Sequence, residues 1–176
     1  MKTRLILAAS LVSALTLRAD ANAAERPQMA NPSIDMASHL RVSSEAARQR
    51  RTHRVSEAEF IRMSRQPGTV VLDARSREKY DGLHVKGAIN LSFPDISYET
   101  LNKVLPDKKT RVLIYCNNNF REGVPAFPTK AFSAALNLST FITLYDYGYR
   151  EVYELAPLLD LESSQLEFEG RARVPR

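Results

Sequence analysis

Four short runs of strand-forming residues constrain the fold of this chain more than any other feature. They are Thr69-Val70-Val71-Leu72-Asp73, Ala88-Ile89-Asn90-Leu91, Arg111-Val112-Leu113-Ile114-Tyr115 and Glu151-Val152-Tyr153-Glu154-Leu155. They do not alternate polar with apolar, so both faces of each strand are expected to be covered. Helical segments separate them. Ser56-Glu57-Ala58-Glu59 reads as a capping box opening a helix to about Arg65, which Pro67-Gly68 closes. A longer helix is read from about Thr129 to Tyr147, where Ala131, Ala135, Leu138, Ile142 and Tyr145 recur at helical spacing. Gly148 supplies its stop. Strands alternating with helices give an α/β fold: a small central parallel sheet flanked by helices, with right-handed crossovers.

The rest of the chain is read around that core. Lys2 and Arg4 precede an apolar stretch from Leu5 to Leu17, and Ala21-Asn22-Ala23 is a small-x-small cleavage pattern. Residues 1–23 therefore read as a secretory signal peptide. The apolar stretch is shorter than the ~20 residues that a membrane span needs. The mature protein is expected to be soluble, free of the membrane, and periplasmic or secreted. Residues 24–54 form an N-terminal extension, helical over about 33–51, residues 55–160 form the domain, and residues 161–176 form a C-terminal tail.

Loss of Lys2, Arg4, Arg18 and Asp20 with the leader lowers the formal net charge from +5 to +3. That is too mild to imply a nucleic-acid partner. The basic run Arg48, Arg50, Arg51, His53 and Arg54 reads as a solvated helix face and loop. His39, His53 and His84 are scattered without ligand spacing, so no metal is expected. No Gly-rich nucleotide loop is present, and no cofactor is expected.

One cysteine, Cys116, excludes an internal disulfide framework and leaves a lone thiol that is buried and inert, paired between chains, or reactive. It directly follows the most apolar strand, at the carboxyl end where ligand sites of such sheets gather. Backbone N–H groups of the next loop and a helix N-terminus there favour negative charge, which would lower the thiol's pKa. Asn117, Asn118 and Asn119 tolerate the left-handed backbone that a tight anion cradle needs. Arg121 would add a positive charge at the rim.

The chain resembles the rhodanese family at four ordered places. Val70-Val71-Leu72-Asp73-Ala74-Arg75 resembles its first core strand with an Asp-x-Arg signature. His84-Val85-Lys86-Gly87-Ala88-Ile89-Asn90-Leu91 is similar to its G-H-I-x-G-A-x-N segment. Val112 to Cys116 is similar to the strand that ends on the catalytic cysteine, and Gly148 to Leu155 to its G-F-x-x-V-Y-x-L strand. The resemblance spans about residues 55–156 and implies a three-layer rhodanese-like domain. It implies a sulfurtransferase in which Cys116 carries sulfane sulfur as a persulfide from a thiosulfate-like anion to a thiophilic acceptor. Residues Asn117, Asn118, Asn119, Phe120 and Arg121 would form the substrate-binding loop. Asp73, Arg75 and His84 match signature positions of structural character. The partners implied are a small sulfur-containing anion or a thiol acceptor, with a protein partner also open. A binding or persulfide-holding module without turnover is the alternative, and an oxyanion enzyme of phosphatase type ranks below it because Glu122 would repel phosphate.

Two departures stand out. Cys116 and Gly148 are 32 positions apart, longer than the family's usual spacing, and Pro125 and Pro128 fall in the extra length. These prolines are expected to delay the following helix and hold its N-terminus away from Cys116. The loop also has Asn119 where a glycine is usual. The exported chain is expected to begin at Ala24; N-terminal sequencing of protein recovered outside the cytoplasm checks this, and Met1 there would contradict it.

Overall fold

The computed structural model describes residues 31–121 and 125–172, so the signal-peptide reading lies outside the described residues, as does Glu122. The chain divides into two units, Met1–Ile34 and Asp35–Arg176. In the first, residues 31–34 form a turn closed by the Ile34 N–H on the Asn31 carbonyl at 3.1 Å. The second unit holds everything that follows.

Its elements run α1 (Met36–Arg50), β1 (Arg54–Val55), α2 (Glu57–Ser64), β2 (Thr69–Asp73), α3 (Arg77–Gly82), β3 (His84–Val85), β4 (Ile89–Asn90), α4 (Tyr98–Val104), β5 (Arg111–Tyr115), α5 (Leu136–Asp146), β6 (Val152–Leu155) and β7 (Phe168–Glu169). Five strands form one sheet in the order β1-β6-β5-β2-β4, and every pairing in it is parallel. The apolar runs fill its centre: Leu72, Val112, Leu113 and Ile114 are buried. One apolar layer gathers Phe60, Met63, Val71, Leu113 and Tyr115. The other gathers Ala46, Leu72, Val112, Ile114, Phe141 and Leu144. Helices thus cover both faces, as parallel sheets require.

Helix boundaries follow local chemistry. In α2 the Ser56 hydroxyl accepts from the Glu59 N–H at 3.2 Å. The other half of the expected capping box is absent, because the Glu59 carboxylate is taken by Arg62 one turn on. An ion pair at that spacing outcompetes a bond back to the cap. The end of α5 follows the sequence reading. Gly148 adopts a φ of 94°, its N–H reaches the Tyr145 carbonyl at 3.0 Å, and the Tyr149 N–H reaches Leu144 at 2.9 Å. Those paired bonds are a Schellman ending.

The start of α5 differs. It begins at Leu136 rather than near Thr129, after a 3-10 turn at Phe132–Ala134. Helical spacing continues upstream through Ala131, but those residues are exposed, and an apolar stripe without a core to bury it does not hold a helix.

The ends of the domain are also more integrated than the sequence division implies. Helix α1 packs against α5, and Arg50 makes a two-pronged ion pair with the buried Glu154 of β6. Residues 161–172 are no loose tail. Leu161 and Leu166 are buried, β7 pairs antiparallel with β3, and the Glu57 carboxylate accepts from the Ser164 hydroxyl at 2.6 Å and the Gln165 N–H at 2.7 Å. Among the described residues no helix is long and apolar enough to cross a membrane. Ending the chain at Asp160 should lower unfolding stability by about 4 kcal/mol, at ~2 kcal/mol for each buried leucine; urea denaturation of the truncated and full chains reads this directly.

Candidate active site

Strand β5 delivers Cys116 to the carboxyl end of the sheet. The residue is 1% exposed. After it the chain forms a 3-10 turn over Asn117–Asn119, and no non-glycine residue among those described has a positive φ. The left-handed conformations expected of the three asparagines are therefore absent. The asparagines act through their side chains instead. Asn119 Oδ1 accepts from the Cys116 N–H at 2.9 Å and from Asn137 Nδ2 at 3.0 Å, while its Nδ2 donates to the Leu155 carbonyl at 2.7 Å. One carboxamide thus ties the cysteine loop to β6 and to the first turn of α5.

The helix N-terminus does reach the thiol. Its N-cap residue is Ala135, which offers no capping side chain, so the first N–H groups of the helix remain free. The backbone N–H groups of Asn137, Asn118 and Leu136 face the Cys116 sulfur. Residues 125–135 of the longer connection precede the helix, and its first N–H groups still face the thiol. The expectation that the prolines hold the helix away from Cys116 is corrected accordingly.

The acidity expected of Cys116 is corrected as well. Burial pushes the thiol above its ordinary range, and the three N–H groups only partly pull it back; the negative charge of Glu154 adds to the upward shift. At rest the group is a protonated thiol inside a cradle suited to an anion.

The other loop residues divide sharply. Phe120 is packed in the core, 4.3 Å from Phe127 between ring centroids and edge-on to Tyr115, and it also borders the cleft beside Arg121. Asn118 joins the inserted segment, its Nδ2 donating to the Lys130 carbonyl at 2.8 Å and its Oδ1 accepting the Lys130 N–H at 3.1 Å. Arg121 is exposed and lies in an open, mainly apolar cleft with Asn118, Thr129, Phe132 and Leu158; Phe132 is 87% exposed.

Behind the loop lies a buried ion pair. Arg75 Nη2 donates to Asp73 Oδ2 at 2.6 Å and to the Leu83 carbonyl at 2.8 Å, and its Nη1 donates to the Ala126 carbonyl at 2.8 Å. Burial alone would lower the Arg75 pKa, but the Asp73 carboxylate holds it above its ordinary value. The Tyr115 hydroxyl donates to Asp73 Oδ2 and accepts the Val85 N–H at 3.0 Å. Burial, then the Asp73 charge, holds that phenol well above the usual tyrosine range. His84 stacks on Tyr80 with ring centroids 3.7 Å apart. Its Nδ1 is 2.7 Å from the Tyr80 carbonyl, and its Nε2 is 3.3 Å from Glu169. The same Glu169 oxygen accepts the Gly87 N–H at 3.0 Å. None of these three signature residues has a bond to Cys116. Sequence reasoning missed Leu136, Asn137 and Lys130; the signal that could have found the first two is the uncapped Ala135 ahead of them. Among the described residues, no three His, Cys, Asp or Glu side chains gather to hold a metal ion.

A parallel α/β domain with one thiol at the end of a central strand, ringed by loop and helix N–H groups, defines the class. Residues 56–155 match the rhodanese-like domain, and the chain belongs to that family. It is similar to a solved structure of a rhodanese with anions from E. coli, at 25% identity over 58% of this chain and 98% of that one, with a TM-score of 0.39. It is similar to the Alr3790 protein from Anabaena sp., at 19% identity over 66% and 80%, TM-score 0.46. A thiosulfate sulfurtransferase from Pseudomonas aeruginosa matches at 22% identity over 75% of this chain and 24% of that one, TM-score 0.47. No curated protein matches the chain.

The thiol chemistry has a measurable consequence. Alkylation of native Cys116 by iodoacetamide should lag a free thiol, and its pH profile should rise above the ordinary range near ~8.5. The native group keeps its proton to higher pH than the unfolded one. Its contribution to stability is therefore full below the unfolded thiol's pKa and is lost as pH rises through the folded one. A profile centred below that of a free thiol would contradict the burial argument.

Proposed function

We propose that this protein is an exported sulfurtransferase that carries sulfane sulfur as a persulfide on Cys116. The observation that carries the reading is the cradle of three backbone N–H groups, from Asn118, Leu136 and Asn137, facing the one thiol. Such donors stabilise an anionic sulfur without a general base, as a preorganised oxyanion hole stabilises oxygen. With thiosulfate as donor, Cys116 releases its proton to solvent and the thiolate attacks the outer sulfur. A Cys116 S–S bond forms, the donor's S–S bond breaks, and its electron pair leaves with sulfite. A thiophilic acceptor then takes the outer sulfur and the thiolate is restored. The reacting partners are a small sulfur-containing anion and a thiol or similar acceptor.

Burial of Cys116 bears on access. A donor reaches the sulfur only after movement of the surrounding chain, and the two Asn118–Lys130 hydrogen bonds that tie residue 130 to the cysteine loop resist such movement by only about 1 kcal/mol each. The same burial favours a second reading, a module that holds a persulfide without releasing it rapidly.

Thiosulfate treatment followed by intact-mass measurement should add one sulfur, about 32 Da on the persulfide chemistry of cysteine. Cys116→Ser should keep the fold and show no gain. Thiocyanate release with cyanide then separates the enzyme from the holder: gain with turnover supports the first, gain without turnover the second, and no gain overturns both.

A further inference from the structure

Strand β6 carries an acid where its inner neighbours are apolar. Glu154 is buried, as are Val152 before it and Leu155 after it. In the parallel register Glu154 stands opposite Ile114 of β5, and Cys116 follows Ile114 by two positions in extended backbone. The side chains of Glu154, Ile114 and Cys116 therefore project from one face of the sheet. Helix α5 covers that face with Asn137, Thr140, Phe141 and Leu144, all buried and none charged; its one charged residue, Asp146, is at its far end. A carboxylate and a sulfur thus share a face from which water is excluded, where a field is screened far less than at the surface.

The groups that meet this carboxylate come from the chain before residues 56–155, the part matched by the family. Arg50, the last residue of α1, donates through Nε to Glu154 Oε2 and through Nη2 to Oε1 at 2.7 Å. Arg54, opposite Glu154 in the β1–β6 register, places its Nε 3.7 Å from Oε1. The end of α1 is fastened around this point. Gln49 Nε2 donates to the Arg150 carbonyl at 2.5 Å, the Glu154 N–H donates to the His53 carbonyl at 2.8 Å, and the His53 ring stacks on Tyr153 with centroids 4.7 Å apart. A buried ion pair is a weak source of stability, since apolar residues of similar size often serve as well. Position gives this one a second use. On the β2 side of β5, Asp73 and Arg75 are paired with each other. Glu154, on the β6 side, is compensated from outside the matched region, and its negative charge acts on Cys116.

We infer that Arg50, assisted by Arg54, is a positioning residue for sulfur transfer: docked on Glu154, it cancels a charge that would repel an anionic sulfur on Cys116, so that α1 regulates the thiol. The inference rests on the persulfide reading and deepens it by naming what controls the anion. Undocking of α1 leaves Glu154 uncompensated on the face it shares with Cys116. The attacking thiolate and the persulfide that follows then both meet its field.

The test reads the thiol through the pH dependence of iodoacetamide alkylation, with thiosulfate loading alongside. The midpoint of the profile reports charge on the sulfur, and its plateau reports access. Arg50→Met should move the midpoint up by about half a pH unit, an about threefold loss of thiolate at neutral pH, and should slow loading by a similar factor. Arg50→Lys keeps the charge and should restore most of both. Glu154→Gln added to Arg50→Met should return the midpoint to the wild-type value or below, a rescue that a merely structural pair would not give. Arg41→Met removes an exposed charge of the same helix, at an ion pair with Glu45, and should change nothing. If Arg50→Met does not fold, the more exposed Arg54→Met should show a smaller move in the same direction, and no move there overturns the inference. An unchanged midpoint in folded Arg50→Met, or a move that Glu154→Gln does not reverse, also overturns it; normal loading of the wild type then leaves the persulfide reading standing. A reversed move in a protein that thiosulfate never loads supports the control of the thiol by Arg50 and overturns the persulfide reading.

Discussion

The buried pair of Asp73 and Arg75 is the interaction on which the rest of this site depends. Each group is almost wholly removed from water, which costs several kcal/mol per ion unless every donor and acceptor is satisfied. Here they are satisfied by bonds that reach well beyond the pair. The carboxylate takes the Tyr115 hydroxyl, which fixes the ends of β2 and β5 side by side one residue before Cys116. The guanidinium takes the carbonyls of Leu83 and Ala126, and its carbon lies 4.3 Å above the Phe127 ring. The inserted segment is therefore anchored near its start by a charge that has nowhere else to go. Breaking either partner would strand the other in the core, and the position of the insert would be lost with it.

Asn119 is the second organising group, and it shows how a loop can be built without glycine. A glycine there would offer conformational freedom, whereas this asparagine offers four hydrogen bonds: to Cys116, Asn137, Leu155 and Pro157. The α5 terminus is consequently positioned by a side chain of the cysteine loop itself. That accounts for the short reach between helix and thiol despite the longer connection.

Much of this architecture was legible in the residues. Uninterrupted runs such as Val112-Leu113-Ile114 can be buried only in a sheet covered on both faces, and Gly148 after Tyr145 marks a helix end with a mechanism. Other features depend on competition that a linear pattern does not weigh. The period of α5 continues upstream through Ala131, so only the absence of a surface to bury it reveals the true start at Leu136. Leu161, Leu166 and Phe168 are isolated among acidic residues and read as tail, because partners of this segment in α2 and β3 are about 80 to 110 positions away. The acidity of Cys116 turns on opposing effects of similar origin. Sequence supplies the donors that lower it, while the burial that outweighs them emerges only in the folded chain.

The N-terminal helix enters the chemistry by the same logic. Arg50 and Arg54 belong to a basic run that composition assigns to a solvated face, yet both reach Glu154, a carboxylate buried on β6 beside the strand that carries Cys116. An uncompensated charge there would oppose any sulfur anion in the cradle, since its field already raises the thiol's pKa. Paired arginines reduce that field at its source. A helix lying before the matched family region thus bears on the same sulfur as α5, one through neutralising a carboxylate and the other through free N–H groups. The electrostatic surroundings of Cys116 are set by the whole layered domain, and the loop that follows it contributes only part.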